Sequence, residues 1–250
     1  MSGHSKWSTI KRQKGANDAK RGALFTKVAR ELMVAARSGG GDPEANYRLR
    51  LAIDKARSVN MPMDNIKRAI ERATGSGEGE QFEEIVYEGY GPGGVAILVE
   101  AATDNRNRTA SDVRSVFTKA GGQLAGSGAV AWQFEPRGLI TVPMQGHDPD
   151  QLTLTAIDAG ASDVDTSDPL AMDVYTAPAD LELVRRALDG QRIAVESAET
   201  TMIARSMVEV DAHRARQNLR LIELLEDLDD VQRVTANFDI PEELFAEVAG

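Results

Sequence analysis

The segment Ser76-Gly77-Glu78-Gly79-Glu80 decides how the chain is organised, because both the charge and the secondary-structure pattern change across it. Residues 1–75 carry 16 Lys and Arg against 7 Asp and Glu, whereas the remaining residues carry 13 against 32. A short stretch of glycine and acid without an apolar anchor is typical of a flexible linker. The sequence therefore predicts a domain boundary here, with a basic domain before it and an acidic part after it.

The basic part has the hydrophobic period of three amphipathic helices. Glycine and proline stand where such helices stop and start. Three short helices of this kind can bury one shared core. We therefore predict that residues 1–76 form a basic helical domain that begins with an N-terminal arm. The predicted helices span about 19–38, about 44–59 and the segment from Pro62 to Gly75.

The acidic part alternates strand and helix patterns, and the order β-α-β-β-α-β occurs in it twice. That order favours ferredoxin-like sandwiches. One set uses residues 81–136 plus 200–250, with a strand predicted at Ala129–Phe134, and the other set uses 137–199. The predicted fold is α+β: an N-terminal basic three-helix domain followed by two ferredoxin-like α/β sandwiches, the second inserted in the first. One larger mixed sheet stays an alternative.

The sequence offers no motif that indicates catalysis or a cofactor. There is no cysteine, which excludes disulfides, thiolate metal sites and Cys nucleophiles. The histidines His4, His147 and His213 lack metal-site spacing. The glycines of Gly89–Gly94 precede a strand pattern, so they predict a tight turn rather than a phosphate loop. We expect a protein that is not an enzyme and that uses no metal, cofactor or small-molecule substrate.

The chain shows neither an apolar signal-peptide core at its start nor a run of apolar residues long enough to span a membrane. A cytoplasmic protein is therefore expected, with no membrane partner.

The excess of cations before the linker favours nucleic-acid binding, because Lys and Arg neutralise phosphates. An ordinary solvated helix face is the alternative. Trp7 could stack on a base or could anchor the arm to the helical core, and the sequence leaves both interpretations open. The candidate nucleic-acid-binding residues in this part are Lys6, Trp7, Lys11, Arg12, Lys14, Lys20, Arg21, Lys27, Arg30 and Arg37.

A second candidate site lies in the acidic part, in the segment Asp104–Thr109, which joins a predicted buried strand to a helix. Arg106 and Arg108 beside a helix N-terminus could bind an anion such as a phosphate. The alternative is a structural turn whose arginines pair with nearby acids, and the sequence leaves it open.

Several motifs resemble the YebC family, and they occur in order along the chain. They are Gly3-His-Ser-Lys-Trp7, Asp18-Ala-Lys-Arg21, Ala36-Arg-Ser-Gly-Gly-Gly-Asp-Pro43, Asn60-Met-Pro-Met-Asp-Asn-Ile66, Tyr87-Glu-Gly-Tyr-Gly-Pro-Gly93 and Thr103-Asp-Asn-Arg-Asn-Arg-Thr109. The resemblance implies three domains around a cleft, a basic helical N-terminal domain and no catalysis. Because the family motifs begin at residue 3, a bacterial cytoplasmic protein without a transit peptide is expected.

The resemblance also implies a role in gene expression, for which two family functions are known. Members are commonly described as DNA-binding transcriptional regulators. Others, including the mitochondrial translational activators of cytochrome c oxidase, look like ribosome-associated factors that bind RNA. We expect a DNA-binding transcriptional regulatory protein, with a ribosome-associated translation factor as the alternative. A third hypothesis is a non-catalytic adaptor whose acidic part binds another protein.

Overall fold

The computed structural model describes residues 19–75 and 82–240. In this part the chain divides into two compact units. Phe134–Met207 forms the inserted unit, and the segments before and after it together form the outer unit. The three-domain division expected from the sequence stays a prediction. No helix among the described residues is long and apolar enough to cross a membrane.

Three helices open the described part of the outer unit and share one apolar core, in which Leu32, Leu49 and Ile66 are almost completely buried. Asn46 shapes the first corner: its side-chain oxygen accepts a hydrogen bond from the Leu49 N–H at 3.0 Å and caps the second helix. Its amide nitrogen donates to the Ala35 carbonyl at 2.8 Å, which ties this cap to the first helix. The predicted three-helix part is confirmed. The helices are α1 (Ala19–Gly39), α2 (Tyr47–Ser58) and α3 (Met63–Thr74).

Beyond these helices, the described residues form two four-stranded sheets and one two-stranded sheet. The alternative of one larger mixed sheet is therefore wrong, and the α+β class is confirmed. In chain order the elements are β1 (Glu83–Tyr90), β2 (Ala96–Thr103), α4 (Arg106–Lys119), β3 (Gln123–Leu124), β4 (Phe134–Pro143), α5 (Pro149–Asp158), β5 (Asp163–Asp168), β6 (Ala171–Thr176), α6 (Leu181–Gly190), β7 (Ser197–Ala204), β8 (Val208–Glu209), α7 (Ala212–Glu226), β9 (Val231–Ala236) and β10 (Phe238–Asp239).

The outer unit contains a sheet of strand order β3-β1-β2-β9, in which neighbouring strands are antiparallel. Strand β1 was not among the predicted strands, because it carries three glutamates and its burial does not alternate: Tyr87, Glu88 and Gly89 are buried in succession. It forms a hairpin with β2, from Glu83 opposite Thr103 to Tyr90 opposite Ala96. Gly93 and Gly94 turn this hairpin with φ of +83° and +80°, values that glycine adopts without strain. The predicted tight turn is therefore present.

The strand predicted at Ala129–Phe134 is wrong for most of its length. A turn and a short 3₁₀ helix (Ala131–Gln133) occupy this segment, and strand β4 begins only at Phe134. The physical reason is Glu88 on β1, whose carboxylate accepts hydrogen bonds from the N–H groups of Gly128, Val130 and Ala131 at 2.6–2.8 Å. The Glu88 side chain thus binds the backbone N–H groups that a strand would use to pair with its neighbour.

The inserted unit follows the predicted β-α-β-β-α-β order from β4 to β7 and has the antiparallel strand order β5-β6-β4-β7. Strand β7 starts later than the strand predicted at Ile193–Ala198. The turn that ends α6 continues to Ile193, whose N–H donates to the Leu188 carbonyl at 3.1 Å. Strand β7 extends to Ala204 and so includes the first two residues of the strand predicted at Ile203–Val210, of which only Val208 and Glu209 form the separate strand β8.

Candidate nucleic-acid interface

Part of the predicted interface lies outside the described residues. This applies to the arm residues Lys6, Trp7, Lys11, Arg12 and Lys14, whose role stays a prediction. Lys20 and Arg21 belong to the first turn of α1, but their side chains are also outside the described part. The remaining predicted residues can be placed.

Lys27 and Arg30 attach helix α1 to the turn between α7 and β9. The Lys27 ammonium donates to the carbonyl of Glu226, the last residue of α7, where the helix dipole favours a cation. Arg30 donates to the Asp229 carbonyl, and its guanidinium lies 2.8 Å from a carboxylate oxygen of Asp230. It also lies over the Phe82 ring, 5.2 Å from the centroid. Both side chains therefore join two parts of the outer unit.

Asp230 is the centre of this junction and is only 6% exposed. One carboxylate oxygen faces Arg30, while the other accepts from Arg108 at 2.8 Å, Thr109 at 2.6 Å and Thr103 at 3.2 Å. Burial raises the pKa of Asp230, but the hydrogen bonds from Thr109 and Arg108 and the charge of Arg30 outweigh it, so the pKa lies below its ordinary value. The carboxylate stays charged and holds α1, β2 and α4 together.

The Asp104–Thr109 segment forms the N-terminal end of α4. Asn105 caps this helix by accepting from the Arg108 N–H at 3.1 Å. The Arg108 side chain also donates to Asp104 at 2.6 Å, and its hydrogen bonds to Asp230 and Asp104 raise its pKa. Arg106 lies 3.7 Å from Glu83. Of the two interpretations of this segment, these contacts favour the structural turn for Arg108, while Arg106 stays 61% exposed.

Other cations of the helical part point to solvent. Arg37 in the last turn of α1 is exposed, as are Lys67 and Arg72 on α3. None of the three forms an ion pair with a residue in the described ranges. The sequence interpretation missed Lys67 and Arg72, although both flank the apolar stripe that contains the buried Ile66. That spacing was the signal that could have found them.

A second missed feature is Trp132, whose side chain is 68% exposed. Its indole N–H donates to the Ala129 carbonyl at 3.1 Å, and the Tyr90 hydroxyl donates to the same carbonyl at 3.0 Å. Burial raises the pKa of Glu88, but the hydrogen bonds from the three backbone N–H groups lower it by more, so the pKa lies below its ordinary value. The Glu88 carboxylate therefore stays charged beneath residues 128–131. The buried Glu88 carboxylate thus fixes the backbone of the segment that carries the exposed Trp132 ring.

These elements define an α+β protein in which basic helices are joined to an antiparallel sheet, with a second α/β unit inserted. The model of the TACO1/YebC protein N-terminal domain matches residues 5–76, and that of the TACO1/YebC second and third domain matches residues 82–238. The chain belongs to the TACO1/YebC family, which confirms the resemblance noted in its motifs.

Two bacterial relatives illustrate the similarity along the whole chain. A "Probable transcriptional regulatory protein" of Rubrobacter xylanophilus is 56% identical, with 100% of both chains covered. A protein of the same description from Chloroflexus aggregans is 57% identical, with 98% of each covered. The crystal structure of a conserved hypothetical protein from Aquifex aeolicus has a TM-score of 0.86 and 49% identity, covering 91% of this chain and 93% of that one.

Proposed function

We propose that this protein is a cytoplasmic, non-enzymatic regulator of gene expression that binds DNA through its basic N-terminal part. The observation that carries the proposal is the charge division at the linker, with 16 cations against 7 acids in residues 1–75. The names of the relatives support the regulatory role. The exposed positions of Arg37, Lys67 and Arg72 support a surface that can meet phosphates.

The contacts of Lys27 and Arg30 support a role for them that differs from the role we propose for the other predicted cations. Lys27 and Arg30 bind backbone carbonyls and a buried carboxylate, so they mainly join the helices to the sheet. The arm cations, Lys20, Arg21 and Arg37 remain the proposed phosphate-binding residues of this part. This division predicts that the two groups respond differently to substitution, since one group affects stability and the other affects affinity.

The test is the salt dependence of binding between the full chain and a DNA duplex. Replacing the four arm cations with Ala should make the log–log salt slope shallower by about 0.9 for each phosphate that the arm no longer neutralises. The control removes the same charge from exposed arginines elsewhere. An arm variant with unchanged affinity and slope would contradict the proposal and favour the protein adaptor. The arm variant changes Lys6, Lys11, Arg12 and Lys14, and the control variant changes Arg114, Arg186, Arg192 and Arg205.

A ribosome-associated RNA-binding factor is a second candidate, and the exposed ring of Trp132 favours it. Proteins recognise unpaired RNA bases by stacking them on aromatic side chains, an interaction worth about 1–3 kcal/mol per base. Because the chain has two tryptophans, Trp7→Phe leaves Trp132 as the sole indole reporter. Stacking should quench its fluorescence on single-stranded RNA but not on duplex DNA. No quenching by either ligand would remove the support that Trp132 gives to this candidate.

A further inference from the structure

An open basic cleft of about 500 Å³ lies between the C-terminal end of α4 and the first half of α7. Lys119 lines it from α4, and His213, Arg216, Gln217 and Arg220 line it from α7. The α7 residues follow one another at helical spacing, so they form one stripe on one face of that helix. All of these side chains are exposed to solvent.

The charge of the cleft is opposite to that of the chain around it. The chain beyond residue 75 carries 32 acids and 13 cations, yet none of the residues that line the cleft in the described structure is acidic. Three of those 13 cations, Lys119, Arg216 and Arg220, come together at this place. A concave surface lined by one sign of charge concentrates ions of the other sign.

The stripe is not part of the hydrophobic core of the outer unit. Helix α7 packs inward through Ala215, Leu219 and Ile222, which are nearly fully buried, and the stripe faces away from them. Arg220 lies 3.4 Å from Glu223, but its side chain is 65% exposed. An exposed ion pair of this kind contributes little to stability, so a phosphate can compete for the arginine.

We propose that the α4–α7 cleft binds backbone phosphates of the nucleic acid that the N-terminal part binds. This inference rests on the proposed function and adds a second binding surface, located in the acidic part of the chain. The other end of α7 meets helix α1, where Lys27 contacts Glu226. With a rise of 1.5 Å per residue, the stripe lies about 9–20 Å along α7 from that contact. This distance corresponds to about three to six base pairs of duplex, so one segment can reach both the cleft and helix α1.

Photo-cross-linking from a single labelled position can locate the bound nucleic acid. The chain has no cysteine, so an introduced cysteine is the only thiol that takes the label. Gln217→Cys introduces a single thiol in the cleft for a benzophenone label, and Ser111→Cys places the same label on the exposed face of α4 outside it. The probes are a labelled DNA duplex of about 20 base pairs, which exceeds the required span, and an RNA hairpin of similar length. We expect cross-links to nucleic acid from the Gln217→Cys protein and few from the Ser111→Cys protein. Equal yields, or cross-links only to protein, would overturn the proposal.

Salt-dependent binding provides the independent measurement. Replacing Lys119, Arg216 and Arg220 with Ala should make the log–log salt slope shallower for the probe that the cleft binds, by about 0.9 on duplex DNA for each phosphate that is released from the cleft. The same positions changed to Gln serve as a second variant, with folding checked by circular dichroism. The charge-matched control changes Arg114, Arg186 and Arg205.

The outcomes separate this inference from the proposed function. If the wild-type chain binds neither duplex DNA nor RNA, the proposed function fails and the inference fails with it. If the wild type binds but the cleft variants behave like the control, only the inference fails. If the slope changes on only one of the two nucleic acids, that one is the ligand of the cleft.

Discussion

Replacing Asp230 with Ala should weaken the attachment of the basic helices to the sheet. The Asp230 side chain is 8% exposed, and its carboxylate accepts from Arg30, Arg108, Thr103 and Thr109. Its removal leaves the Arg30 side chain, which is only 14% exposed, without its carboxylate partner.

The expected loss of unfolding free energy is about 3 kcal/mol, the lower end of the range for breaking a buried ion pair. The lower end applies because Arg108 is 45% exposed and also pairs with Asp104, so water and that carboxylate replace part of the interaction with Asp230. Urea denaturation at neutral pH, followed by circular dichroism, measures the change.

Asp229→Ala is the matched control, since Asp229 is an exposed neighbour of the same charge whose backbone carbonyl still accepts from Arg30. It should change stability by less than about 0.5 kcal/mol. Equal effects of the two substitutions, or a loss below about 1 kcal/mol for Asp230→Ala, would refute the claim that the Asp230 carboxylate holds the helices to the sheet.

The sign of the pH dependence follows from the lowered pKa of Asp230. A carboxylate whose pKa is lower in the folded state stabilises the protein fully above its unfolded value, which is about 3.9 for Asp. That contribution is lost as the pH falls through the folded pKa. The difference between wild type and Asp230→Ala should therefore be constant near neutral pH and shrink below about pH 4.

Two further predictions concern other carboxylates. Glu88→Gln places an amide donor against backbone N–H donors and should lower the free energy of unfolding by about 2 kcal/mol. It should also shift the fluorescence of Trp132, measured in the Trp7→Phe background. An unchanged emission spectrum and denaturation midpoint would contradict the role of Glu88 in holding this segment. In the inserted unit, the hydrogen bonds from Arg185 and Arg186 lower the pKa of Glu182 to about 2. Glu182→Gln should cost about 1 kcal/mol at neutral pH, and the difference should fade between about pH 4 and pH 2; a pH-independent difference would count against this ion-pair network.

Local patterns were sufficient to predict the three N-terminal helices and the order of elements in the inserted unit. Helix α1 was expected at about 19–38 and spans Ala19–Gly39, because an amphipathic stripe followed by glycines is encoded within one segment. The order β-α-β-β-α-β from β4 to β7 was predicted for the same reason. Strand β1 was not predicted, since Glu88 appears polar in the sequence but faces a buried cluster of N–H groups.

The partners of the cations could not be predicted, because they are distant in sequence. Arg30 and Asp230 are separated by most of the chain, and nothing near Arg30 indicates that it binds a buried carboxylate. The clustering of Lys119 with the α7 stripe also depends on how two helices pack. The sequence shows that a helix face carries cations. Whether those cations join the helix to another element or bind phosphates depends on the tertiary structure.

The most direct test of nucleic-acid binding by the basic part is cross-linking in cells. The bound nucleic acid is sequenced, and mass spectrometry identifies the cross-linked peptides. The proposal predicts DNA on peptides from residues 1–75, and recovery should fall when Lys6, Lys11, Arg12 and Lys14 are replaced with Ala. Recovery of RNA on those peptides would instead support the ribosome-associated candidate. Absence of nucleic acid above the level of the arm variant would contradict nucleic-acid binding by this part of the chain.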